Sequence, residues 1–350
     1  MTTRRWMGLA GAMLLCAAMA GCGDAGAPGA ASSVKLGQDK VVAHPHAHRN
    51  LQVFFIHGPD RLKDRNIATL EEAMARNLVA VSETGSVNQI IIENSSNVSV
   101  FVHAGDIIKG GKQDRTIRYD MLLPPMSGKR PLDCFCVEHG RWTNRGSESV
   151  GMFSGSTDAL VTNSQRLAVQ LEGDQSKVWE AVEGSQRKLS GNVGSVSGNE
   201  GVVNLNSAAS PTSLQLTLEN KDLQKAVDEY VAALGTPGGQ DVVGCVLAIN
   251  GKIVQADIYP SPWLFGKFWP KLLKSGATQA IAELKPDGTF KPATPADVAN
   301  FMTAASEGAE THRKVSEEAS LKVIESRGAA CFSTSDSHYN WSLRESYIAK

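Results

Sequence analysis

The chain lacks the signatures by which most enzymes are read from sequence. It has no Gly-x-Ser-x-Gly elbow, no His-Glu-x-x-His pair, no Cys-x-x-Cys, and no glycine fingerprint set between a strand and a helix. Elbow-type hydrolases, zinc proteases, paired-cysteine zinc sites and dinucleotide enzymes are therefore not indicated, and no cofactor or metal is implied. Ser335-Asp336-Ser337-His338 carries the letters of a catalytic triad, but neighbours in one polar turn do not build one. A dominant charge is missing too: the net charge is −1, which leaves no electrostatic footprint for nucleic acid. Cysteine is sparse, with six in 350 residues. Of those beyond the leader, Cys134 and Cys136 on one extended strand sit near the distance limit for bridging, so that pair would be strained, and Cys245 could pair with Cys331. Buried free thiols are the simpler expectation.

What is present begins with an export signal. Arg4 and Arg5 precede an apolar run, Trp6 to Ala20, that is too short for a confident membrane span. Met19-Ala20-Gly21-Cys22 closes it like a lipoprotein signal, in which residues 1–21 are removed and Cys22 becomes the lipidated first residue. Plain secretion after Ala18-Met19-Ala20 is the alternative. Asp24 does not follow Cys22 directly, so the expectation is an exported lipoprotein on the periplasmic face, at the outer membrane. Residues 22–50 read as a flexible tether. Its His44, His46 and His48 read as solvated linker, with transition-metal binding as the alternative.

Hydropathic period then separates two halves of one domain, 51–350. Residues 51–142 read as antiparallel sheet with one short helix, announced by the capping box Thr69-Leu70-Glu71-Glu72. Ile90 to Ile92 and the alternation Val98, Val100, Val102 predict a half-buried hairpin about the turn 94–97. Ile117, Tyr119 and Met121 continue the pattern as one strand. Residues 143–350 read as mixed. Val178, Trp179 and Val182 mark a helix over 175–187, residues 190–213 have the composition of a mobile insertion, and Asp222 to Leu234 is the clearest amphipathic helix. Val242 to Ile249 predicts a central strand and Asn250-Gly251 a tight hairpin. Ser261-Pro262 caps a helix whose Lys267, Lys271 and Lys274 read as a solvated face, with Pro270 kinking or restarting it. Thr294-Pro295 opens a last helix, and 321–348 give two or three closing strands. The class is α+β, a β-rich antiparallel part packed with a mixed part.

The candidate site lies between Ala104 and Trp142. Gly105, Gly110 and Gly111 permit a tight turn that could aim amides at an anion, with Asp106, Lys109, Lys112 and Arg115 beside it. It is not a P-loop, since Gln113 stands where Ser or Thr belongs. Strand alternation through Leu132 to Val137 puts Cys134, Cys136 and, if the strand continues, Glu138 on one face. A thiol two residues from a carboxylate is a plausible nucleophile with an acid/base partner. His139 and Arg141 complete the ligand-binding set, while a solvated glycine hairpin and buried structural thiols stand as the bland alternative.

These residues also carry a resemblance. GDIIKGGKQDR, the Leu123-Pro124-Pro125 corner, CFCVEHGRW, INGKIVQADIYPSPWLFGKFWPKLLKS and the terminal LRESYIAK are together similar to the ADP-ribosylglycohydrolase and rhodanese-phosphatase-superfamily-associated domain, over about residues 50–350. The resemblance implies association with ADP-ribose and phosphatase proteins and supplies no catalytic residue. The functional expectation is a lipid-anchored domain binding a small anionic ligand, ADP-ribose-like or phosphorylated. The alternatives are a thiol-dependent hydrolase or transferase using Cys136 and Glu138, and an envelope interaction module without chemistry.

Overall fold

A computed structural model describes residues 33–350, apart from 199, 200 and 340 and the side chains of 156–158. The expected export signal, Cys22 and the first part of the expected tether lie outside the described residues. The chain opens with β1 (Val34–Leu36), β2 (Lys40–Val42), β3 (His46–His48), β4 (Leu51–His57), β5 (Ile67–Thr69), α1 (Leu70–Ala75) and β6 (Val79–Glu83). Next come β7 (Gln89–Asn94), β8 (Ser99–Val102), β9 (Asp106–Gly110), β10 (Arg115–Ile117), β11 (Met121–Leu123), β12 (Gly128–Cys136) and β13 (Phe153–Leu160). A helical stretch follows: α2 (Asn163–Leu167), a π-helical turn (Ala168–Glu172), α3 (Gln175–Ser197), α4 (Leu214–Leu218) and α5 (Lys221–Leu234). The chain closes with β14 (Val242–Ile249), β15 (Lys252–Ile258), α6 (Pro262–Ala282), α7 (Pro295–Ser306), β16 (Ala309–Lys314), β17 (Ala319–Glu325), β18 (Ala329–Asp336) and β19 (Ser342–Ala349).

The class is α+β. A ten-stranded antiparallel sheet runs β1-β2-β4-β14-β15-β19-β18-β17-β16, with β3 also on β4. Alternation along its central strands explains its double burial. Leu51, Val53 and Phe55 of β4, with Cys245, Leu247 and Ile249 of β14, face α5 and α6. Phe54, Ile56, Val246 and Ala248 face α7 on the other side. The second sheet, β13-β9-β10-β12-β7-β6, packs against a small third one, β11-β8-β5. Its other face, through Ile107, Phe135 and Val137, meets α3, α4 and the π turn. Helix α6 lies between β14 and β13. Its Phe265, Phe268, Trp269 and Leu272 are buried, each worth about 1.5–3 kcal/mol on transfer from water.

Local signals in the sequence are realised as chemistry. Thr69 Oγ1 accepts from the Glu72 amide at 3.2 Å while the Thr69 amide donates to Glu72 Oε2 at 2.9 Å. Asn250 and Gly251 adopt φ of 50° and 73° and join β14 to β15. Ser261 Oγ accepts from the Leu264 amide at 3.0 Å, and Pro262 opens α6. Pro270 neither ends nor restarts that helix, which is unbroken.

Several expectations are corrected. Residues 34–48, read as tether, form three strands of the large sheet; His46 rests on Phe55 and His48 on Tyr230. The hairpin expected from 90 to 102 does not form, because β7 pairs with β6 and β12 while β8, buried along its whole length, pairs with β5 and β11. The strand expected over 117–121 breaks into β10 and β11, which sit in different sheets. The first eight residues of the expected insertion are the last turns of α3. Residues 201–213 are irregular but anchored, with Leu205 in the core and Ser213 capping α4. Strand β16 carried no sequence signal, being polar and mostly exposed. Cys134, Cys136, Cys245 and Cys331 are all free and buried.

Candidate functional site

The glycine turn joins β9 to β10. Gly110 and Gly111 hold φ of 114° and 58°. A Cβ on Gly111 would stand 2.7 Å from Glu83 Oε1 and 2.9 Å from the Phe153 ring, so conformation and space both require glycine there. The turn does aim its amides inward, but the chain's own oxygens receive them. Gly110 N donates to Asp114 Oδ1 (3.0 Å), Gly111 N to Met152 O (3.2 Å), Lys112 N to Glu83 Oε1 (3.0 Å) and Asp114 N to Glu138 Oε2 (3.0 Å).

Asp114 and Glu138 are fully buried, a state that carboxylates reach only when paired. Arg145 clamps Asp114 with two bonds of 3.0 Å, one to each oxygen, and Ser213 Oγ donates to it at 2.8 Å. Arg141 Nε donates to Glu138 Oε1 at 2.7 Å, and its Nη1 reaches Gly111 O at 3.1 Å. Burial works to raise the Glu138 carboxyl, and bonds from Arg141, Ser210 and the Asp114 amide outweigh it, holding the group below its usual value. Burial raises Asp114, against the pull of Arg145 and with the like charge of Glu138 adding to it. Two carboxylates and two guanidiniums thus close on each other, and an incoming anion would have to displace one of the chain's own.

Cys136 stands opposite Arg115 in the β10–β12 register. The thiol contacts Arg115 Nη1, which also donates to Val87 O at 2.8 Å, and Arg115 Nη2 pairs with Glu83 at 3.3 Å. Cys136 is fully buried, and burial pushes its thiol up to about 11 despite the guanidinium. A nucleophilic cysteine needs the opposite shift together with exposure.

A second polar centre lies deeper, where α2, α6, β15, β19 and the chain before β9 meet. Asp106 accepts from Lys271 Nζ at 2.8 Å and from the His103 amide at 3.1 Å. Arg166 Nη2 donates to Asp257 Oδ1 at 3.3 Å and to Ser346 Oγ at 2.5 Å. Arg344 Nε lies 3.4 Å from Asp120 and 3.7 Å from Asp257. The His103 ring reaches Ala104 O through Nδ1 and Tyr259 Oη through Nε2, each at 2.7 Å, and Arg344 Nη1 contacts it as well. Donation of Nδ1–H to the carbonyl leaves Nε2 as the acceptor, which is the neutral imidazole. Burial drives His103 well below its ordinary value, with Arg344, Arg166 and Lys271 pushing the same way. Arg166 and Arg344 are fully buried, yet Arg166 Nε and Nη1 and Arg344 Nη2 have no hydrogen-bond partner among the described residues. The π-helical turn begins two residues after Arg166, at Ala168, a geometry often found where function distorts a helix.

The structure therefore divides the residues that sequence placed in one site. Lys112, Arg115, Cys136, Glu138 and Arg141 gather around the glycine turn, with Gly110 and Gly111 forming it. Asp106 belongs to the deeper centre. Lys109 pairs with Glu219 beyond α4 at 2.7 Å. His139 turns away and lays its ring on Trp179, 4.3 Å between centroids. Trp142 is half exposed. Arg145 and Ser213 were missed because they sit in irregular chain with no periodic signal. Arg166, Asp257, Tyr259 and Arg344 were missed as a site, although the last three lie in the resemblance motifs. Lys271, read as solvated, is buried with Asp106 because the packing closes over α6. Among the described residues, no group of three or more His, Cys, Asp or Glu could hold a metal.

The model of the ARPP-1 domain, the ARG and Rhodanese-Phosphatase-superfamily-associated Protein domain, matches residues 40–339. No curated protein and no solved structure matches the chain. The chain belongs to the ARPP-1 family. Reading ARG as ADP-ribosylglycohydrolase is not part of that match.

Proposed function

We propose, with membership of that family as the premise, that the protein is an exported, lipid-anchored domain that binds a small anion without thiol chemistry. The ligand class is phosphorylated or ADP-ribose-like. The observation that carries the reading is the pair of buried guanidiniums, Arg166 and Arg344, with N–H groups that no atom of the described residues accepts. Unmet donors of that charge in a buried setting are costly, and an oxyanion removes the cost with charge-assisted bonds. The recognition residues are then Arg166, Arg344 and Ser346, and the glycine turn with its ion network becomes the scaffold. This moves the ligand away from the glycine turn, whose amides and Arg115 are already bonded to the chain's own oxygens.

A thiol-dependent hydrolase at Cys136 loses support from the burial and raised pKa of that thiol. Thiol labelling across pH 7–9 is expected to track global unfolding; rapid labelling of the folded protein would restore the enzyme reading. The test of the main reading is a thermal-shift series with inorganic phosphate, ADP-ribose, nucleotides and sugar phosphates. A binder at a hundredfold excess over its Kd should stabilise by about 2.7 kcal/mol. Silence across the series would leave the interaction module, for which half-exposed Trp142, Val150 and Met152 offer the apolar surface. Anchoring is tested separately by Cys22→Ser, which should move the protein from the membrane to the soluble fraction.

A further inference from the structure

We propose that the cavity between α4, α5 and α6 is a second ligand site, of opposite polarity, for a small ammonium ligand with a short aliphatic body. The cavity measures about 270 Å³, near the lower end of about 300 Å³ for small-molecule sites. Leu218, Leu223 and Val227 give it an apolar wall, and its polar lining includes Gln215, Glu219, Gln224, Asp228 and Thr278. Lys274 also lines it and is itself partnered.

The chemistry of the polar lining selects the occupant. Gln215 is 4% exposed. Its Nε2 donates to Glu219 Oε1 at 2.9 Å, while its Oε1 is buried with no donor among the described residues. A buried amide oxygen without a partner favours an N–H or O–H from a bound molecule. Glu219 is already held by Lys109 at 2.7 Å, whereas Asp228 is exposed and makes no ion pair among the described residues. The free acceptor and the uncompensated carboxylate both call for a positively charged donor, and the leucine and valine wall calls for methylene groups. An anion would meet the Glu219 and Asp228 carboxylates on this lining, and Lys274, the one cation there among the described residues, is already partnered, so the site is separate from the oxyanion reading above.

The experiment is calorimetric titration of the full chain with n-hexylammonium and 1,5-diaminopentane, matched against hexanoate and hexanol. The ammonium ligands should bind saturably and hexanoate should not. Asp228→Asn, which alters an exposed and unpaired side chain, should weaken binding about two- to fivefold. Gln215→Met should weaken it about tenfold or more, and Val227→Phe should fill the cavity and abolish binding. Should either buried variant fail to fold, Asp228→Asn still decides. Absence of ammonium binding, equal binding of hexanoate, or an affinity unchanged by Asp228→Asn would overturn the proposal.

Discussion

The two polar centres teach by contrast. Around the glycine turn, Asp114, Glu138, Arg141 and Arg145 come from two short stretches of chain and satisfy one another, down to the amides of the turn itself. In the deeper centre, Asp106, Asp120, Arg166, Asp257, Lys271 and Arg344 come from six separate segments, and guanidinium donors remain unmet. The first arrangement is a staple: its charges are spent on holding β9, β10 and the chain after β12 together. The second holds the two sheets to α2 and α6 and retains hydrogen-bonding capacity. A motif dense in charged residues is therefore a poor guide to a site when its charges close on each other.

The largest test of this contrast is Asp257→Ala. It strips Arg166 and Arg344 of a shared carboxylate in a fully buried setting, and should cost about 3–5 kcal/mol in urea unfolding. A loss below about 1 kcal/mol would mean that the deeper centre is hydrated and that the contrast is false. Arg145→Ala should cost less, about 2–3 kcal/mol by the same measurement. Arg141 stays on Glu138, and the Asp114 carboxyl, already raised by burial, can take up a proton. If the ranking inverts, the turn and not the deeper centre is the keystone.

The smallest effect is titration of His103. Its folded pKa lies well below 6.5, so the unfolded chain binds a proton below about pH 6.5 that the native state refuses. Stability is present above that value and falls as pH drops through it, by about 1.4 kcal/mol per pH unit for one proton. The difference between wild type and His103→Gln isolates this slope from the carboxylates. Parallel stability–pH curves for the two proteins would show that His103 is charged in the fold, against the neutral assignment.

Legibility in the sequence followed the range of the interaction. The strand face carrying Cys134 and Cys136 was readable because pleating has period two, and the stripe of α5 because a helix has period 3.6. The break between β7 and β8 was not, since double burial of Val100 and Val102 arises from a third sheet that no local pattern announces. Lys271 looked like solvated surface for the same reason: helical spacing gives its angle on α6, while the packing that closes over that angle is supplied by distant strands. Arg145 and Ser213 lie 31 and 99 residues from the Asp114 they satisfy.

By itself the sequence determined the start of α1, the start of α6 and the β14–β15 hairpin, because Thr69, Ser261-Pro262 and Asn250-Gly251 act on backbone groups within four residues of themselves. Tertiary structure alone decided which charges meet. Asp106 finds Lys271 across 165 positions and Arg166 finds Asp257 across 91. A buried charge is tolerated only within bonding distance of a partner, and that distance is set by how sheets and helices stack.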